Sequence, residues 1–151
     1  MKSFLQGIFL VITVVFVFSS CGDEATCVDR ETSLVKINFI GEDGQDKDII
    51  LYSLSSPGNN DGFPEYEDDT LSRLVLPLNP GSRSVTFILD RPTGKDTIGL
   101  SYEVVAQLIS PECGLDAAFS KLKISQNTFP EAMIVSDIIN EQIQTNIEIT
   151  H

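Results

Sequence analysis

The chain has 151 residues, with 10 Lys+Arg against 22 Asp+Glu, and is 42% hydrophobic and 8% aromatic. That composition excludes a multidomain enzyme, a wholly disordered chain and a multi-span membrane protein, and it suits one globular domain of ordinary size. The acidic excess, with no run of Lys or Arg to offset it, opposes polyanions, so nucleic acid is excluded as a partner.

The sequence opens with Lys2 and an apolar run from Phe4 to Phe18, interrupted by Gln6, Gly7 and Thr13. At ~1.5 Å rise per residue this run reaches only about 22 Å as a helix, short of the ~30 Å hydrocarbon core. Ser19 and Ser20 follow, then Cys21. A charged start, a short apolar stretch and a small-residue exit predict a secretory signal peptide over residues 1–20. Phe18-Ser19-Ser20-Cys21 resembles the lipobox of bacterial lipoproteins, with Phe18 standing where an aliphatic residue is usual. The resemblance implies acylation of Cys21, which becomes the first mature residue; a conventional signal peptide with Cys21 merely nearby is the alternative. Several acyl chains of the palmitate kind, at ~0.8 kcal/mol per buried CH2, would hold the protein on a membrane. Gly22, not Asp, follows Cys21, and by likeness to lipoprotein sorting this implies the outer membrane. The expected partners are the membrane, through the anchor, and an envelope protein.

Cleavage before Cys21 removes only Lys2 among the charged residues, leaving 9 basic against 22 acidic side chains. Residues 21–32 read as a lipidated start and short tether, and 33–151 as a single domain. With Cys21 acylated, Cys27 and Cys113 remain as a pair. In an oxidising compartment they are expected to form a disulfide, worth ~4–5 kcal/mol in the chain-entropy model for a closure of this length. Two buried free thiols are the alternative. A zinc site lacks further Cys or His ligands nearby, so no metal and no cofactor is expected. Cys27 lies six residues after Cys21, a reach of ~20 Å, which predicts a domain close to the bilayer.

From Leu34 the pattern has period two. Val35, Ile37 and Phe39 alternate with Lys36 and Asn38; Ile49–Leu54 is a weaker strand candidate; Leu74, Leu76 and Leu78 share a face, as do Val85, Phe87 and Leu89. The longest run places Ile98, Leu100, Tyr102, Val104, Ala106 and Leu108 on one side. Ala118–Ile124 is a second weaker candidate, Ala132–Glu141 fits strand or helix, and Ile143 to Ile149 alternates again. Such alternation predicts strands with one buried face. Turn sequences such as Gly41-Glu42-Asp43-Gly44, Ser56-Pro57-Gly58-Asn59, Asn79-Pro80-Gly81 and Arg91-Pro92-Thr93-Gly94 separate them. The expected architecture is all-β: an immunoglobulin-like antiparallel β-sandwich of about seven strands.

Chemistry is sparse. The sole histidine, His151, is the last residue and reads as a solvated end, so no Ser-His-Asp arrangement is expected and no catalytic residue is assigned. Glu65, Glu67, Asp68 and Asp69 crowd together, leaving a small envelope hydrolase as an alternative; no Trp is available to form a sugar platform. Asp43, Asp46 and Asp48 suggest a calcium-stabilised adhesion module as a further alternative, but the EF-hand register fails. The long connection Ser55–Thr70 holds Phe63 and Tyr66. An aromatic pair there would dock a protein partner if exposed, or cap the sandwich if Phe63 folds inward.

Taken together, Cys21 and Cys27, Leu34-Val35-Lys36-Ile37-Asn38-Phe39, Leu76-Pro77-Leu78, Tyr102, Pro111-Glu112-Cys113-Gly114 and Asn146-Ile147-Glu148-Ile149 resemble an uncharacterised family of small Bacteroidetes-type lipoproteins, a domain of unknown function. The resemblance supports the architecture and the cysteine pairing, and implies no enzymatic activity. The reading is a lipid-anchored, non-catalytic binding or structural module of the cell envelope.

Overall fold

A computed structural model describes residues 34–59, 61–110, 114–140 and 142–151. Cys21, Cys27 and Cys113, and with them the signal peptide, the tether and the cysteine pair, lie outside these residues. The strands are β1 (Leu34–Ile40), β2 (Ile49–Leu51), β3 (Ser53–Ser55), β4 (Asp69–Leu71), β5 (Arg73–Pro77), β6 (Ser84–Arg91), β7 (Gly94–Ser110), β8 (Gly114–Asn127), β9 (Glu131–Ile134) and β10 (Ile147–Thr150). One 3-10 turn, Pro64–Tyr66, is the helical element among the described residues.

The strands form two four-stranded sheets, β5-β1-β10-β9 and β3-β6-β7-β8, with a two-stranded sheet β2-β4. Their inward side chains make one core. Val35, Ile37 and Phe39 of β1, Leu74 and Leu76 of β5, and Ile147 and Ile149 of β10 meet Phe87 and Leu89 of β6 and Ile98 and Leu100 of β7. All eleven are completely buried, at roughly 1.5–3 kcal/mol of favourable transfer for each large side chain. The predicted all-β sandwich is the architecture observed, with two differences. The described residues form ten strands, because Ile49–Leu54 breaks at Tyr52 into strands of different sheets, and because Asp69–Leu71 pairs with β2. The first and last strands also pair in parallel, Ile37 with Ile147 and Phe39 with Ile149. Periodicity reports which face is buried, but not the direction of the neighbouring strand.

β7 departs from the expectation in a further way. Its alternation continues to Leu108, yet burial does not: Tyr102 is buried, whereas Leu108 is 60% exposed. The strand simply outruns the opposite sheet. Seventeen residues at ~3.3 Å reach about 55 Å, against about 23 Å for the seven of β1. Where the β7–β8 hairpin leaves the core its register shifts between Ser101 and Glu103, and Lys121 takes a positive φ of 54°. This β-bulge adds a residue to β8, and Leu122 beside it is buried in the core.

One buried polar residue joins the first sheet. The Asn146 side chain accepts the Lys36 N–H through Oδ1 (3.0 Å) and donates through Nδ2 to the Ile138 and Ser136 carbonyls (2.8 and 3.3 Å). Its backbone N–H donates to Lys36 O, and its carbonyl accepts from Val135 and Ser136. Asn146 therefore ties β1, the start of β10 and the 135–138 segment, which is why that ambiguous stretch lies extended along the sheet.

Candidate binding cleft

A cleft of about 540 Å³ opens where the two sheets part. One wall is the Ser56–Asn59 turn with Phe63, the other is the chain from Pro77 to Ser82, and the floor is β6 from Ser84 to Phe87. Both walls are fixed locally. Asn59 donates its N–H to Ser56 O (2.9 Å) and its side-chain amide to Gly62 O (2.7 Å). Gly62 has φ 64°, the left-handed conformation that glycine adopts freely. In the opposite wall, Asn79 Oδ1 accepts the Gly81 N–H (2.8 Å) and the Asn79 carbonyl accepts the Ser82 N–H (3.1 Å). Tyr102 of β7 reaches across to this turn, its hydroxyl accepting the Asn79 N–H and donating to the Asn79 carbonyl, both at 3.1 Å. The ring packs edge-on against Phe119, and burial pushes the phenol above its ordinary pKa against the opposing hydrogen bond to Asn79.

The Ser55–Thr70 connection uses its aromatics internally. Phe63 is 8% exposed and tilts against Phe87, with centroids 5.9 Å apart. Of the two arrangements open for Phe63, the inward one is observed. The Tyr66 hydroxyl donates to Val75 O (3.0 Å) and accepts the Val75 N–H (3.2 Å), so this ring clips the loop to β5. Neither side chain is presented as an outward docking group; Phe63 serves the cleft as a wall.

The floor exposes a length of strand edge. The Asp90 carbonyl accepts from Tyr52 N–H (2.8 Å) and the Arg83 carbonyl from Tyr102 N–H (3.0 Å). Even-numbered residues of β6 thus turn their backbone groups toward β3, and odd-numbered ones toward β7. Pairing with β3 ends at Ser55 opposite Ile88, where the chain turns off. Ser82 Oγ covers the edge groups of Ser84, accepting its N–H (3.2 Å) and donating to its carbonyl (2.9 Å). Between these two, the N–H and C=O of Thr86 face the cleft, and no described residue bonds them there.

The acidic candidates lie elsewhere. Glu65, Glu67, Asp68 and Asp69 are exposed, and Asp69 Oδ1 is spent on the Thr70 N–H (2.8 Å). Asp43, Asp46 and Asp48 are exposed too, with Asp43 Oδ1 accepting the Gln45 N–H (3.1 Å) in its turn. Among the described residues no group of three or more His, Cys, Asp or Glu could hold a metal ion.

His151 is not the solvated end the sequence suggested. Its ring packs edge-on against Phe39 at 5.9 Å, its N–H donates to Ile40 O (3.1 Å), and its carbonyl accepts from Lys47 Nζ (2.7 Å). Continuing the β1–β10 ladder by one residue carries it onto the core. Burial holds the imidazole below its ordinary pKa, offset in part by the Lys47 carbonyl and reinforced by the positive charges of Lys47 and Arg91. Arg91 lies over Phe129 (5.2 Å) and pairs with Asp96.

Sequence reasoning singled out neither the cleft nor Thr86. The readable signals were the two turn sequences and the mismatch in length between β3 and β6, which becomes visible only once the pairing is known. No curated protein and no solved structure matches the chain. Across residues 44–151, which include both cleft walls and its floor, the sequence matches the model of a family of unknown function, DUF6452, and the chain belongs to that family.

Proposed function

We propose that the chain is exported, acylated on Cys21 and held at the outer membrane, where it serves as a non-catalytic binding module. The observation that carries the binding reading is the cleft, which is concave and mixed in polarity and to which the described residues contribute no titratable side chain: Ser, Asn, Thr, Pro, Gly, Leu, Val and Phe supply their part of the lining. Acid–base or nucleophilic catalysis requires a group whose proton can move within reach of the substrate. A lining of hydroxyls, amides, backbone and apolar surface suits recognition instead. The carboxylates of the hydrolase alternative, Glu65, Glu67, Asp68 and Asp69, are exposed and lie outside this lining.

The anchor reading is supported by the apolar run, the Ser19-Ser20 pair and Cys21. No helix of the described residues is long and apolar enough to cross a membrane. In membrane fractions, the wild-type chain should sediment with the envelope and Cys21→Ser should appear in the soluble fraction. Sedimentation of Cys21→Ser unchanged would sink the anchor. For the binding module, crosslinking in intact cells from photoreactive groups at Ser56 or Ser82 should capture an envelope component, and the same group at exposed Glu131 of β9 should not. Equal labelling from all three positions would contradict a binding role for the cleft.

A further inference from the structure

We propose that the cleft takes an extended peptide, which adds as a strand to the edge of β6 that no described residue covers at Thr86; this rests on the binding reading above. The ligand class follows from what the floor offers. Thr86 presents one donor and one acceptor side by side at strand spacing, directly in line with β3, and backbone polar groups at a partly buried position demand partners. An extended backbone supplies an acceptor and a donor in matching order, and this is how peptides are captured by sheet edges in general. Ser82 guards the next register position, and its hydroxyl can swing away to release the edge of Ser84.

The walls then set side-chain preference. Every second residue of the incoming strand would turn toward the sandwich interior, against Phe63, Leu78 and Val85, so a medium apolar side chain suits that position. Its neighbours would point outward past Ser84 and Thr86. Charge restricts the ligand further. The lining is uncharged, the loop carrying Phe63 bears exposed Asp61 and Glu65, and the whole chain is strongly acidic. An acidic peptide is therefore disfavoured, whereas basic residues at the peptide ends complement the surroundings. The occupant is a neutral, extended segment with basic flanks, donated by another protein.

The test uses the full chain in detergent and a synthetic seven-residue peptide of alternating valine and threonine with lysine at each end. Peptide addition should slow hydrogen exchange of the Thr86 amide about tenfold or more. Thr86→Pro removes the edge N–H without touching the β7 ladder and should weaken binding about fivefold to tenfold, the equivalent of one hydrogen bond, while Thr86→Val should bind as wild type. Independently of any variant, the same peptide N-methylated at alternate residues should fail to bind. Equal binding of the methylated peptide, with shifts at Phe63 and Val85, would overturn strand addition and leave the cleft as a binding site. Protection of the Thr86 amide before any peptide is added would overturn the proposal as well, the edge then being occupied by the chain's own residues or by a second copy. Absence of any peptide effect at the cleft would overturn it together with the binding reading.

Discussion

Replacing Asn146 by alanine offers the sharpest test of how the first sheet is held. The residue is 1% exposed, and its side chain makes three hydrogen bonds, to the Lys36 N–H and to the Ile138 and Ser136 carbonyls. At a net ~1 kcal/mol each, the bonds themselves contribute about 3 kcal/mol. The truncation also removes the Asn146 acceptor from the Lys36 N–H and the Asn146 donor from the Ser136 carbonyl, while the Ile138 carbonyl keeps the Ser136 hydroxyl (3.2 Å), and water reaching through the vacated space offsets part of that penalty. The expected loss is about 3 kcal/mol, which for a domain of this size corresponds to a fall in Tm of about 10 °C. Urea denaturation followed by tyrosine fluorescence and by far-ultraviolet dichroism should show a lower midpoint with an unchanged m-value. Hydrogen exchange should speed up selectively at Lys36 and in the 135–138 segment. A loss under about 1 kcal/mol, or faster exchange spread evenly over both sheets, would refute the view that this side chain ties β1 to the returning chain.

Other outcomes follow from the same structure. Tyr102→Phe deletes both contacts to Asn79 and should cost about 1–2 kcal/mol in urea midpoints. Because burial raises the Tyr102 pKa in the folded state, its contribution is complete below about pH 10, the unfolded value, and is lost as pH rises through the folded one; Tyr102→Phe should flatten that alkaline decline. His151 has a lowered folded pKa, so its contribution is present above about pH 6.5 and fades as pH falls through the folded value. Thermal melts of wild type and His151→Gln should therefore differ more at pH 7.5 than at pH 5, and parallel curves would contradict the packing of the ring on Phe39. Gly99→Ala should destabilise by about 1–3 kcal/mol, since a Cβ there would lie 2.9 Å from Ser125 Oγ and 3.0 Å from Gln126 Cβ at the bulge; an unaltered urea midpoint would show that the hairpin yields freely.

The core was legible because its alternation is strict: Val35, Ile37, Phe39, Leu74, Leu76, Phe87, Leu89, Ile98 and Leu100 all face inward as the period of two requires. The same rule misplaced Leu108, because a pattern along one strand does not reveal where the opposing sheet stops. β4 was hidden for a different reason. Asp69-Thr70-Leu71 has little strand preference of its own and pairs only because the connection returns beside β2. Asn146 reads as an ordinary polar residue in an alternating run, and its role depends on carbonyls eight and ten residues upstream. The cleft could not be anticipated, since it consists of an edge left open by the early end of β3, a relation between strands far apart in sequence. Phe63 was legible only as one of two alternatives, and contact with Phe87 decides between them.

The proposed address and scaffold meet in one quantity, the intact mass of the protein recovered from native membranes under thiol-blocking conditions. The account predicts a chain beginning at Cys21, heavier than its polypeptide by the acyl groups, and lacking two hydrogens because Cys27 and Cys113 are joined. A chain that retains residues 1–20, or one with an unmodified Cys21 and two blocked thiols at Cys27 and Cys113, would contradict it.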